Sequence, residues 1–223
     1  MATRTRRTDA LSREVIVDAA TRILDDEGED ALTLRALTVR LSTGYGALYH
    51  HVANKGDLLA AATDEVLARA MTGVAAAAEP RDTLRATALS LFDAITAHPW
   101  IGAQLAREPW RPALLAIYES VGEQLEALGV GEAALVDSAG ALVNYILGVA
   151  GQNAANARIQ AADGSSLAAG AEQWAQLDPL RYPRLHRAAA RLGDHDDRQQ
   201  FVAGVDLFLA GIEAVHGRDA AGR

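Results

Sequence analysis

Residues Thr33 to Leu58 read TLRALTVRLSTGYGALYHHVANKGDL, and this stretch decides the fold. Leu34, Leu37 and Leu41 fall at i, i+3 and i+7, which makes one apolar stripe on a short helix. Ser42-Thr43-Gly44 interrupts that stripe with turn-forming residues. A second short helix follows, with Ala47, Leu48 and Val52 as its apolar side. Tyr45, Tyr49, His50 and His51 are left to face outward. Two short helices across a tight turn are how a helix-turn-helix presents its second helix to a DNA major groove. Charge points the same way. No acidic residue occurs from Ala31 to Gly56, while Arg35, Arg40 and Lys55 are basic, in a chain of net charge −8. A solvated helical hairpin without a nucleic-acid partner is the alternative that periodicity leaves open.

Working outward, Ser12 suits an N-cap, and Val15, Ile16, Ala19, Ala20, Ile23 and Leu24 give a first helix from about Ser12 to Asp26 its buried face. Gly28 reads as its stop and Thr33 as the cap of helix 2. Asn54 caps a fourth helix to about Ala77, with Asp57 placed to answer it. Glu79-Pro80 is the boundary this pattern favours.

The residues Gly46-Ala47-Leu48-Tyr49-His50-His51-Val52 and Asn54-Lys55-Gly56-Asp57-Leu58-Leu59, behind the apolar first helix, Gly28 and Thr33-Leu34-Arg35-Ala36-Leu37, resemble the DNA-binding domain of the TetR family of transcriptional repressors. The likeness covers about residues 12 to 70, and later regions resemble the regulatory domain of the tetracycline-repressor branch more loosely. One departure is visible. Many relatives have a glycine in the turn after helix 2, where this chain has Ser42-Thr43.

The resemblance implies an all-α protein in three parts: a basic arm over 1–11 (Arg4, Arg6, Arg7), a helix-turn-helix domain with connecting helix over 12–78, and a helical regulatory and dimerisation domain over 79–223. It implies Arg35, Tyr45, Ala47, Tyr49 and His50 toward bases, and Thr33, Tyr49, His51 and Lys55 toward phosphates, with Gly46 in the same helix. The partners it implies are a double-stranded, near-palindromic operator and a small-molecule effector that releases it.

Beyond Pro80 the pattern is helical throughout, with a long helix from about Glu132 to Ile159, a loose region over 160–183, a short helix to Leu192, and a last helix from about Asp196 to His216 that stops at Gly217. In the long helix Leu142, Val143, Ile146, Leu147 and Val149 sit among Gly140, Gly148 and Gly151. In the last, Phe201, Val202, Val205, Phe208, Leu209 and Ile212 sit among Gly204 and Gly211. Mid-helix glycines want a packing reason, here either a homodimer through these two helices or close packing inside one subunit. Phe92, Trp100, Leu105, Trp110, Leu114, Tyr118, Asn144, Gln152 and Trp174, with Tyr145 and Asn156, are the candidates for a mostly apolar effector cavity. An ordinary core with solvent-facing amides accounts for the same residues.

The chain has 223 residues and no cysteine, which excludes disulfides, thiolate zinc sites and cysteine nucleophiles. No signal-peptide pattern opens it and no membrane span is expected, so the expectation is a cytoplasmic protein. Phosphate-loop, HExxH and GxSxG motifs are missing, and the adjacent His50-His51 pair makes a poor chelate, so no enzyme, cofactor or metal is expected. A dimeric helical scaffold that does not bind DNA is the second function class to weigh.

Overall fold

The computed structural model describes residues 11–74, 79–108, 110–164 and 166–220, with backbone alone at 106 and 217–220. The basic arm therefore lies outside the described residues, apart from Leu11; helix 4, expected to reach about Ala77, ends at Thr72 with Gly73 as its C-cap, because that glycine favours a stop there. The described residues form α-helices and no strand.

An N-terminal bundle contains α1 (Arg13–Glu27), α2 (Leu34–Arg40), α3 (Tyr45–Tyr49) and α4 (Lys55–Thr72). Ser12 caps α1 through its side chain, and Gly28 ends it at φ +84°. Thr33 caps α2 by accepting the Ala36 N–H at 3.0 Å, and Asn54 caps α4 by accepting the Asp57 N–H at 3.0 Å. Ile16, Ala20, Ile23, Leu32, Leu37, Leu48, Val52 and Leu58 share the core of this bundle. α2 and α3, of seven and five residues, are too short to persist alone, so this shared apolar face is what holds them.

The turn after α2 shows how the chain manages without the glycine. Thr43 N–H bonds Thr38 C=O at 3.0 Å and Ser42 N–H bonds Val39 C=O at 3.3 Å, a Schellman closure. Ser42 takes the left-handed position at φ 49°, the one non-glycine with positive φ among the described residues. A side chain is disfavoured there. Ser42→Gly should therefore raise stability by roughly 0.5–1 kcal/mol, about 1–4 °C in Tm by calorimetry. A lower Tm would mean the serine side chain supports the turn.

The body holds α5 (Pro80–Ala97), α6 (Ile101–Arg107), α7 (Pro112–Ala127), α8 (Glu132–Asp163), α9 (Leu167–Ala175), α10 (Pro183–Leu192) and α11 (Asp197–Ala220). Two expectations are corrected. The region after 159 is not loose: α8 runs on to Asp163 and α9 is a full helix capped by Ser166. Gly217 does not stop α11, which continues to Ala220. By length and composition alone α8 is apolar enough to cross a membrane, with mean hydropathy 1.5 over its most apolar stretch, a test that a packed helix of a helical bundle also meets.

α5 and α7 pack against α8, and α11 closes over both α5 and α8. Phe201 stacks on Phe92 at 4.4 Å and lies 5.8 Å from Tyr145, whose hydroxyl donates to Phe201 C=O at 3.2 Å. The glycines divide between the two roles left open for them. Gly204 is needed inside the subunit, because a Cβ there would run into the Tyr145 ring and hydroxyl. Gly151 meets Gly102 of α6, where a Cβ on Gly102 would sit 3.6 Å from its Cα. Gly140, Gly148 and Gly211 face open space.

Candidate nucleic-acid interface and its joint to the body

Leu48 and Val52 hold α3 to the bundle, being 0% and 2% exposed. Tyr45 and Tyr49 are 49% and 56% exposed, and Gly46, Ala47 and His50 are exposed with them. Ala47 thus leaves the apolar side assigned to it and joins the outward face, because a helix of one and a half turns can bury only Leu48. Thr33 and Arg35 are exposed beside this face, and His51 is half-buried.

The cations of the acid-free window are less free than their sequence suggests. Arg40 pairs with Asp26 at 3.3 Å and Glu27 at 3.7 Å, both from the end of α1. Lys55 donates from Nζ to the Glu29 carbonyl at 2.5 Å. The Arg35 guanidinium enters no hydrogen bond or ion pair among the described residues, although its carbonyl accepts from the Thr38 hydroxyl at 2.8 Å. Sequence separation of 14 and 26 residues hid these partners.

A residue that carries no motif signal orients α3. Arg13 donates to His51 C=O at 2.8 Å and to Asp57 Oδ1 at 3.2 Å, tying the end of α3 to the start of α4. Asp57 Oδ2 also accepts the Ala53 N–H at 3.1 Å. That backbone bond, with Arg13, holds the Asp57 carboxyl below its ordinary range despite some burial. A depressed carboxylate of this kind stabilises the folded state at neutral pH, and the contribution is lost as pH falls through its folded value.

The bundle is fastened to the body by side chains distant in sequence. Asp25 Oδ1 accepts from Trp100 Nε1 and meets His98 Nδ1, both at 2.8 Å. Glu29 accepts from Gln104 at 3.1 Å and Arg107 at 3.2 Å. Arg111, 4% exposed, donates to the Ala60 carbonyl of α4 at 3.0 Å and to Glu108 at 3.0 Å, with Asp64 at 3.5 Å. Burial raises the Asp64 carboxyl, and Arg111 opposes that shift.

The effector candidates are not gathered into one cavity. Phe92, Trp100 and Leu114 are buried in the core, Leu105, Tyr118 and Trp174 are half-buried, and Trp110, Asn144, Gln152 and Asn156 are exposed. Trp100 is committed to Asp25, and Tyr145 to Phe201. Residues 3.6 per turn apart on a two-sided helix cannot all reach the same space. Asn144 and Gln152 face outward from α8, away from the side that buries Leu142 and Ile146.

Residues 16–62 match the family described as bacterial regulatory proteins, tetR family, and residues 77–216 match the tetracyclin repressor-like C-terminal domain. The chain belongs to the TetR family. It is 31% identical over 210 residues to an HTH-type transcriptional regulator of Saccharopolyspora erythraea, covering 93% of this chain and 86% of that protein. Among solved structures, SCO7222, a TetR from Streptomyces coelicolor, is 49% identical with TM-score 0.83, covering 92% of this chain and 99% of that one. ActR of Streptomyces coelicolor in complex with actinorhodin is 25% identical with TM-score 0.74, covering 93% and 99%. This TetR-family chain is a DNA-binding transcriptional regulator, of a family whose members bind operators as dimers and respond to small molecules.

Proposed function

We propose that Arg35, Tyr45, Ala47, Tyr49 and His50 meet base edges and Thr33, Tyr49, His51 and Lys55 meet phosphates, with Gly46 in the same helix against the DNA, in an operator-binding domain over residues 12–78 with the basic arm of 1–11 beside it. The observation that carries this reading is the orientation of α3: Leu48 and Val52 are buried while Tyr45, Tyr49 and His50 stand outward beside the unpaired Arg35. Residues 79–223 form the regulatory and pairing part. The protein acts in the cytoplasm as a regulator and not as a catalyst. A small-molecule effector lowers operator affinity by binding one arrangement of the domains better than the other, since only a difference in affinity between states shifts them.

Two protomers pair through α8 and α11. The core of each helix, Leu142, Val143, Ile146, Phe201, Val205 and Leu209, is used within the subunit. The pairing side is the other face: Val136 at 80% exposure, Leu207 at 75%, Val215 at 66%, with Gly140, Gly148 and Gly211. Apolar surface of this kind on the outer face of these two helices fits a self-complementary two-fold contact. The recognition helices would then stand one DNA turn apart, about 34–36 Å.

Selection from random duplexes on the purified protein tests the reading. A palindrome with half-sites about one turn apart is the expected outcome; no enrichment by a folded dimer would overturn it. On the selected site, Tyr49→Ala should cost about 1–3 kcal/mol of specific affinity, a loss of about 5- to 150-fold, with unchanged Tm. Parent-like binding by the variant would remove Tyr49 from the DNA face.

A further inference from the structure

Where the unpaired positive charge lies is the unexpected feature of this acidic chain. Arg13, Arg22, Arg40, Arg69, Arg81, Arg85, Arg107, Arg111 and Arg198 are all in ion pairs. Among the described side chains, the helix-turn-helix keeps one unpaired arginine, Arg35. The others are Arg158 near the end of α8 and Arg181, Arg184, Arg187 and Arg191 on and before α10.

Arg184, Arg187 and Arg191 recur at spacings of three and four and so share one face of α10, and all three are exposed. Arg181 precedes the helix with its guanidinium 5.2 Å from the Tyr182 ring. α9 and α10 pack on each other, with at most marginal contact to the rest of the described chain, so this face is not turned into the body. Its location relative to DNA is indicated by Arg158, which lines a small cavity together with Leu24, Asp25, Gly28 and Glu29 of the operator-binding domain and with Trp100. The last turns of α8 therefore run beside that domain, and the α9–α10 hairpin leaves the body at the same end.

We propose that the arginine face of α10 is a second DNA-contacting surface, which grips the phosphate backbone of the duplex outside the bases read by α3. Its partner is the polyanion itself, without sequence preference. Guanidinium groups suit this, because they present several donors to phosphate oxygens and remain charged. The surface also answers a deficit, since Arg40 is paired with Asp26 and Glu27 within the bundle, which leaves Arg35 and Lys55 as the recognition unit's remaining cations near the DNA face. The proposal rests on the DNA-binding reading above.

The test compares parent, the triple variant Arg184→Ala/Arg187→Ala/Arg191→Ala and its Arg→Lys counterpart for binding a random-sequence duplex, over salt from about 50 to 200 mM. All three side chains are exposed, so folding should be unaffected, as circular dichroism will verify. The alanine variant should lose at least about ten-fold in affinity at the low-salt end, and its slope of log K against log salt should fall by about 2 to 5, allowing up to 0.9 per lost contact in two protomers. The lysine variant should keep most of the slope. An alanine variant with the parent's slope overturns the proposal. So does a variant that dissociates into monomers by sedimentation, because the arginines would then belong to a subunit contact, for which the exposed Glu119, Glu123 and Glu126 of α7 are the complementary face. If the parent itself shows no salt-dependent DNA binding, the DNA-binding reading fails first, and the two failures are thereby distinguished.

Discussion

Leu207→Glu is expected to separate the two protomers and to abolish operator binding at concentrations where the parent is fully bound. Leu207 projects from α11 beside a groove lined by Ala141 of α8 and by Gly211 and Val215 of its own helix. In a two-fold contact each substitution counts twice. Each removes the burial of a leucine, about 1.5–3 kcal/mol, and forces a carboxylate into an apolar contact or apart from it. A weakening of at least about 4 kcal/mol follows, roughly a thousand-fold in the dimer constant. Because Leu207 is exposed in the protomer, its helical content should not change. Sedimentation equilibrium and duplex binding, run on the same preparation, give the answer. A variant that stays dimeric would place the pairing face elsewhere on the surface.

Arg111→Ala is expected to cost about 3 kcal/mol of stability, the lower end of the range for breaking a buried charged contact. The guanidinium side chain is 2% exposed, but its partners Asp64 and Glu108 are 29% and 62% exposed and can recover water. Its Nε finds no acceptor, which also limits what the contact contributes. The carbonyl of Ala60 loses a donor, and α4 loses its tie to the start of α7. Removal also changes the pH response. Burial already raises the Asp64 carboxyl and Arg111 restrains that rise. Without the arginine the folded-state value climbs further above the unfolded one. The variant's deficit should then be smallest at acid pH, where Asp64 is protonated in folded parent and folded variant alike, and should grow as pH rises through the parent's folded value toward the variant's. Denaturant melts of parent and variant across pH measure this directly, and a deficit independent of pH would show that Asp64 does not respond to Arg111.

The recognition unit was legible because its signals are local. The stripe of Leu34, Leu37 and Leu41, the caps Ser12, Thr33 and Asn54, and the stop at Gly28 each act within one or two turns, and all four capping and stop positions are observed in those roles. Ser42 was readable as a departure, and the structure shows what the departure costs: a side chain in the left-handed position. Ala47 was misplaced because a five-residue helix gives periodicity too few turns to assign a face. The region after 159 was misread as loose because small residues such as Ala168, Ala169 and Gly170 mark a loop by composition and equally permit α9 to pack closely on α10, where a Cβ added at Gly170 would lie 3.7 Å from the Leu192 side chain.

The pocket candidates failed for a different reason. Aromatic residues and amides announce that they dislike or like water, not which neighbour they meet. Trp100 hydrogen-bonds a carboxylate 75 residues away, and Phe92 stacks on a ring from the far end of the chain. The same holds for charge: composition counts Arg40 and Lys55 as available cations, and only the packing of α1 and the turn after it against them shows they are engaged.

What the sequence determined by itself is the helical character, the position of the helix-turn-helix and the family, since these depend on spacing and capping within short windows. What the tertiary structure decided is which cations stay free, which glycines serve the interior and which the outer face, and how Asp25, Glu29 and Arg111 join the operator-binding domain to the body. Those outcomes depend on contacts between residues far apart in the chain, and no local periodicity encodes a partner that only folding brings near.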